Sequence, residues 1–128
     1  MVKLIWNEGT NEIANASGVQ LNGSKAPDQQ GLSPKELLEG AVALCLSITL
    51  EKVLERDGVE ANLNEIEIDV RASKQAGVEN RFTDFHVDVV FPSTLEAAYK
   101  KKLLKVIERG CTISNTLVGE VNVAVVEK

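Results

Sequence analysis

The chain has 128 residues, of which 44% are hydrophobic, and it carries a formal net charge of −5. This length is typical of one domain, over residues 1–128, that can bury a core without disulfide bonds. The acidic balance argues against nucleic acid as a partner, because binding to phosphates requires a basic surface.

The N-terminal part predicts a small antiparallel sheet. Short apolar segments at 2–6, 12–16 and 19–22 are separated by asparagine and glycine, which favour turns. Residues 23–32 show no periodicity and predict a loop.

The N-terminus lacks the long apolar stretch and small-residue cleavage site of a secretion signal, so we expect a cytoplasmic location. In a reducing cytosol, two cysteines are expected to be free, catalytic or redox-sensing rather than structurally bridged.

The sequence Ser-Pro-Lys-Glu at 33–36 predicts the start of a helix, because serine can cap it, proline suits its first position and glutamate completes a capping box. We expect this helix to extend to about Asp57 and to end at Gly58. From 37 to 50 it is apolar on nearly all sides, so it should lie at the centre of the fold, and a second copy of the chain would help to bury it. The apolar run is too short to cross a bilayer, so no membrane partner is expected.

The segments 66–70 and 85–89 alternate apolar and polar side chains, which predicts two strands, each with one buried face. They are expected to form a hairpin, and Gly77 lies in the polar connection between them.

A second helix is expected to begin at a cap formed by Ser93 or Thr94 and to extend to about Arg109, with Gly110 ending it. Its expected apolar stripe consists of Leu95, Ala98, Leu103, Val106 and Ile107. A last strand is predicted at 120–126. The order of elements predicts an α+β fold, with antiparallel sheets around a long buried central helix.

The candidate site residues are the two cysteines, Cys45 and Cys111. Cys45 lies in the apolar helix, where cysteine is often only a small hydrophobic residue, but its small neighbours would leave room for a ligand or a second thiol. Cys111 precedes a polar turn or short helix, and if it caps that helix, the unpaired backbone amides would lower the pKa of the thiol. From these residues alone, the pair can be two core residues, one disulfide or two halves of a redox cycle.

Other ionisable residues predict neither a metal site nor a cofactor. His86 is the single histidine and is expected on an exposed strand face, and no Cys-x-x-Cys motif or phosphate-binding glycine loop is present. Glu39 lies within the apolar helix. It could pair with a cation, reach the rim of a cleft, or be buried and ionise only with difficulty.

Both cysteines lie in distinctive local sequences, Ala-Val-Ala-Leu-Cys at 41–45 and Cys-Thr-Ile-Ser-Asn-Thr-Leu at 111–117. Together with Ser-Pro-Lys-Glu-Leu-Leu at 33–38, these segments resemble the OsmC/Ohr family of osmotically induced and organic-hydroperoxide-resistance proteins, and the likeness extends over nearly the whole chain. The resemblance implies an intertwined homodimer, with two long helices crossing at its centre and the cysteines near the interface.

The resemblance also implies a reaction. The cysteine that matches Cys45 attacks an organic hydroperoxide and becomes a sulfenic acid, the one that matches Cys111 resolves it as a disulfide, and an external dithiol reductant restores both thiols. The alternative is an OsmC-like, stress-related homodimer that binds an apolar small molecule and has little or no peroxidase activity.

The chain departs from the peroxidase pattern at two positions. Peroxidase members carry an arginine in the N-terminal β region and a glutamate at the third position of the Ser-Pro segment, whereas this chain has no arginine before Arg56 and has Lys35 in place of that glutamate. An exchange of charges, with Glu8 or Glu12 facing Lys35, is one hypothesis for this difference.

Overall fold

A computed structural model describes residues 1–28 and 30–128, so Gln29, within the predicted 23–32 loop, lies outside the described residues. The chain forms two compact units, Met1–Gly40 and Ala41–Lys128. Its elements confirm the predicted α+β class with antiparallel sheets.

The first unit contains the predicted three-stranded antiparallel meander, with β1 at Val2–Asn7, β2 at Thr10–Asn15 and β3 at Gln20–Gly23. The turn between β1 and β2 consists of Glu8 and Gly9, both with positive φ (51° and 82°), which matches the twist of a two-residue hairpin. Every residue of β1 is exposed, so this sheet presents apolar side chains to solvent in the single chain.

Helix α1 extends over Pro34–Arg56, close to the predicted bounds. The capping box is confirmed, because the Ser33 amide donates to Glu36 Oε1 (2.9 Å) and the Glu36 amide donates to Ser33 Oγ (3.2 Å). After the helix, Gly58 adopts φ +66°, a conformation that suits glycine.

The apolar surface of α1 is buried on one side only. The residues that enter the core are Val42, Leu46, Leu50, Val53 and Leu54. By contrast, Leu44 is 63% exposed and Ile48 is 43% exposed. The single chain therefore leaves part of the predicted central helix uncovered.

The second unit contains the predicted hairpin, with β4 at Glu67–Ser73 and β5 at Asp84–Val90, followed by α2 at Ala97–Gly110 and α3 at Thr112–Val118. The register places Val70 opposite Val87, and alternate residues along both strands turn toward the core. This apolar face packs against the cluster formed by α1 and α2, which includes Leu50, Leu103 and Ile107.

The prediction that Ser93 or Thr94 caps α2 is wrong. Ser93 instead donates its amide and hydroxyl to the Glu65 carboxylate, at 3.1 and 3.0 Å, and α2 begins after Glu96, which makes no side-chain cap. In the predicted stripe, Ala98 is exposed, and Leu95 is buried but precedes the helix.

The predicted strand at 120–126 is also absent from the described chain, where residues 120–128 have no regular structure. A strand requires a neighbour for its backbone hydrogen bonds, and none lies alongside this segment in the single chain. The alternating valines Val121, Val123 and Val125 are accordingly 61%, 85% and 92% exposed.

Candidate functional site

The structure brings the two cysteines into contact. Cys45, on α1, is half-buried, and Cys111, between α2 and α3, is completely buried. Both are free thiols, and a hydrogen bond joins them. Residues 66 positions apart in sequence (111 − 45) therefore form one dithiol pair.

Cys111 caps helix α3, as its sequence context predicts. Its Sγ accepts a hydrogen bond from the Ser114 amide at 3.4 Å. Burial by itself would raise the pKa of the Cys111 thiol, but the Ser114 hydroxyl, the Cys45 thiol and the amides of Ser114 and Ile113 all donate to it. The net result is a pKa below the ordinary value for cysteine, because these donors stabilise the thiolate.

A close approach between α1 and the junction of α2 with α3 brings the two thiols together. A Cβ built on Gly110 would lie 2.9 Å from Thr49 Cγ2, nearer than side-chain atoms normally come. Thr49 has little freedom to move away, because its Oγ1 donates a 2.9 Å hydrogen bond to the carbonyl of Cys45. Glycine at 110 thus permits the spacing in which Cys111 meets Cys45.

An apolar groove with a volume of about 460 Å³, which is within the range of small-molecule sites, reaches the thiol pair through Ser114, and neither cysteine is among its described lining residues. It is bounded by the hairpin and the three helices of the second unit, and Ser114, the hydrogen-bond partner of Cys111, is one of its walls. The apolar part of the lining includes Val42, Leu46, Phe82, Phe85, Leu104 and Leu117.

Sequence patterns identified only part of this groove. The alternation along β5 predicted that Phe85 and Val87 face inward, which the structure confirms. Arg81 and Phe82 were not identified, because they lie in the connection before β5, where no periodicity marks a buried face. Arg81 and Glu108 are the charged residues of the lining.

The remaining candidates lie apart from the thiol pair. Glu39 pairs with a cation, since its Oε2 lies 3.3 Å from Lys35 Nζ. Lys35 therefore does not face Glu8 or Glu12 as hypothesised, and Glu12 instead accepts a hydrogen bond from Asn7 (2.9 Å).

His86 is exposed on the hairpin, with Nε2 located 3.1 Å from Asp88 Oδ1. Among residues 1–28 and 30–128, no three side chains of the histidine, cysteine, aspartate and glutamate types converge as metal ligands would. Within this same part of the chain, no helix combines the length and apolar character needed to cross a membrane.

Comparison with known proteins identifies a family model and a relative that match most of this chain. The family model described as OsmC-like protein matches residues 27–126. An uncharacterized protein of Bacillus subtilis, YmaD, is 28% identical over 130 residues, which cover 94% of this chain and 87% of that protein.

Two solved structures illustrate the similarity in fold. An OsmC-like protein from Mycoplasma pneumoniae superposes with a TM-score of 0.79 at 15% identity, over 93% of this chain and 86% of the other. The organic hydroperoxide resistance protein OhrB of Bacillus subtilis gives a TM-score of 0.66 at 22% identity, over 95% of this chain and 92% of its own.

Proposed function

The chain belongs to the OsmC-like protein family, and on that premise we propose that it reduces organic hydroperoxides with the Cys45–Cys111 pair. Cys45 attacks the peroxide and becomes a sulfenic acid, and Cys111 then converts it to a disulfide. The two thiols supply two electrons, so that each hydroperoxide yields one alcohol and one water. An external dithiol reductant completes the cycle.

The observation that carries this proposal is the contact between the two thiols. A sulfenic acid inside a protein persists until a second thiol reaches it or until it is oxidised further. Because Cys111 is already hydrogen-bonded to Cys45, the resolving thiol needs little movement to form the disulfide.

The apolar groove supports the choice of substrate. Its lining of valine, leucine and phenylalanine favours a hydroperoxide with a hydrocarbon body over hydrogen peroxide, because burial of apolar surface contributes to binding. Ser114 belongs both to the groove and to the hydrogen bonds of Cys111, so a ligand in the groove would contact a residue that is hydrogen-bonded to the resolving thiol.

We further propose that the active form is a homodimer, as is typical of the family. The exposed face of α1, which includes Leu44 and Ile48, is apolar surface that a second copy would bury. The exposed valines of the C-terminal segment could likewise gain a strand neighbour from that copy.

The direct test exposes the fully reduced protein to a slight excess of cumene hydroperoxide and counts the free thiols that remain. Both thiols should be lost, with one cumyl alcohol formed for each disulfide. Cys45→Ser should consume no hydroperoxide, whereas Cys111→Ser should consume one equivalent and then stop without forming an intramolecular disulfide. Wild-type protein that keeps both thiols would contradict the proposal.

A second candidate function is the binding of an apolar ligand in the groove without turnover. The departure at Lys35 favours it, because this residue is paired with Glu39 and the chain has no arginine before Arg56. Saturable binding of a hydrocarbon probe, displaced by cumyl alcohol, in a protein that does not lose its thiols to the hydroperoxide would favour this candidate over the first.

A further inference from the structure

The Cys45 thiol and the Cys111 thiol are unequally placed. Cys111 receives hydrogen bonds from backbone amides at the start of α3 and from the Ser114 hydroxyl, and all of these groups donate to sulfur. Donors of this kind stabilise a thiolate more than a neutral thiol. The negative charge of the pair is therefore best accommodated on Cys111, with Cys45 as the protonated partner that donates to it.

Access from solvent favours reaction at Cys45 rather than at Cys111. Cys111 is completely buried, whereas Cys45 is half-buried on α1. A hydroperoxide would thus reach Cys45 first, although the groups that stabilise a thiolate surround Cys111. The reaction needs a step that transfers the charge from the buried sulfur to the accessible one.

We propose that Cys111 is the general base that activates Cys45, accepting its proton along the hydrogen bond that joins the two thiols. The inference rests on the proposed function and assigns Cys111 a role earlier than resolution. It also gives the Cys45 thiol an activating group, since Lys35 is already paired with Glu39.

The steps balance in atoms and electrons. The proton of Cys45 transfers to the Cys111 thiolate, and the Cys45 thiolate attacks the terminal peroxide oxygen, so that an S–O bond forms and the O–O bond breaks. The alkoxide that leaves takes the proton from Cys111 and becomes the alcohol. The regenerated Cys111 thiolate attacks the sulfur of the Cys45 sulfenic acid, forms the disulfide and releases hydroxide, which takes up a proton from solvent as water.

Charged side chains on the surrounding elements contribute little to this exchange. Glu51 and Lys52 on α1, Glu108 and Arg109 at the end of α2, and Arg81 before β5 are all exposed to solvent. Their fields are weakened by water, whereas the hydrogen bonds to Cys111 act at contact distance within the core. The protonation of the pair should accordingly follow these hydrogen bonds and respond only weakly to salt.

The test measures the first turnover of the reduced protein as the rate at which it consumes one equivalent of hydroperoxide, and in variants without Cys111 dimedone traps the Cys45 sulfenic acid so that mass spectrometry locates it. The informative variant is Cys111→Ser, because serine is a favoured N-cap residue and should keep α3 in place while it removes the base. If Cys111 only resolves the sulfenic acid, this variant forms it at the wild-type rate.

On our proposal, the rate in Cys111→Ser at neutral pH falls by about 10²-fold, at the lower end of what a positioned base contributes. The dependence of this rate on pH should also differ from that of the wild type, because the base is absent. A control variant, Ser114→Ala, keeps both thiols but removes one donor to Cys111. It should still form the disulfide, with its pH–rate profile displaced upward from that of the wild type.

Two results would overturn the inference: a wild-type rate and pH profile in Cys111→Ser, or a sulfenic acid formed on Cys111 in Cys45→Ser at the wild-type rate. Failure of the proposed function is a separate outcome, since there the wild-type protein itself would not react. Thermal melting of Cys111→Ser that matches the wild type establishes that the fold is intact, and Cys111→Ala, which lacks any capping side chain, provides an independent variant.

Discussion

The Tyr99 hydroxyl donates a hydrogen bond of 2.7 Å to Asp57 Oδ2, and thereby joins the first turn of α2 to the residue that follows α1. Burial and this hydrogen bond raise the pKa of Tyr99 to about 12. The same hydrogen bond, aided by Arg56, lowers the pKa of Asp57 below its ordinary value. Each partner therefore favours the protonation state that the other requires.

The Tyr99–Asp57 hydrogen bond predicts that the folded protein becomes less stable at high pH. Because the folded pKa of Tyr99 is raised, its contribution is complete below pH ~10, the value of an unfolded tyrosine, and is lost as pH rises toward about 12. Tyr99 is the single tyrosine, so tyrosinate absorbance reports on it alone. The native titration should have its midpoint near 12, and in urea near ~10.

The control for this titration is Asp57→Asn, which removes the charge but leaves an acceptor. Its tyrosine midpoint should lie between those of the native and unfolded wild type. In Tyr99→Phe, the free energy of unfolding should lose the part of its alkaline pH dependence that Tyr99 contributes, so it should fall less steeply with pH than in the wild type. An unchanged native midpoint in Asp57→Asn would show that burial alone accounts for the shift.

The capping box at the start of α1 predicts a measurable loss of stability. Ser33→Ala removes the buried oxygen that accepts from the Glu36 amide and leaves that part-buried amide without its partner. The free energy of unfolding in urea should fall by about 1 kcal/mol. Ser17→Ala, at an exposed turn, is the matched control and should have no measurable effect.

The uncovered face of α1 predicts that a charge there weakens self-association. Leu44→Asp would place a carboxylate within the apolar surface assigned to the dimer interface, and its desolvation would oppose dimer formation. Sedimentation velocity at micromolar concentration should show the variant shifted toward monomer. Leu63→Asp, at a leucine that is 46% exposed and lies outside α1, should sediment as the wild type does. A wild-type protein that remains monomeric would contradict the assignment.

The groove predicts a selective change in substrate use. Leu117→Gln replaces an apolar wall residue by a polar one of similar size. The KM for cumene hydroperoxide should rise by about three- to tenfold, as expected for the loss of one or two buried methylene contacts. The KM for hydrogen peroxide should not change, because this small substrate does not fill the groove. Leu63→Gln serves as the control, and an equal effect of Leu117→Gln on both substrates would argue against the groove as the substrate site.

Local signals were sufficient to predict the parts of the fold whose partners lie close in sequence. The Ser33–Glu36 cap and the helix cap at Cys111 both depend on groups three residues apart, and the structure contains both. The hairpin of β4 and β5 was likewise predicted from its alternation, because a half-buried strand must repeat every two residues.

The errors arose where a distant residue competes with a local one. Ser93 has the chemistry of a helix cap, but Glu65, 28 positions earlier, accepts its hydrogen bonds and delays the start of α2. The valines at 121–125 have the alternation of a strand, but pairing depends on a neighbour that the pattern does not specify. Local patterns likewise could not predict the contact between Cys45 and Cys111, because neither local sequence contains information on the distance between these two residues.

The close approach of Gly110 to Thr49 has a thermodynamic consequence for the proposed Cys45–Cys111 redox couple. A disulfide forms readily only where the backbone lets two thiols approach closely, and here the hydrogen-bonded contact of the two thiols depends on the absence of a side chain at 110. Any larger residue would push the two segments apart, make the oxidised form harder to reach, and leave the dithiol relatively favoured. On the proposed function, the reduction potential of the Cys45–Cys111 couple should therefore depend in part on a residue that has no reactive group and contains no sulfur.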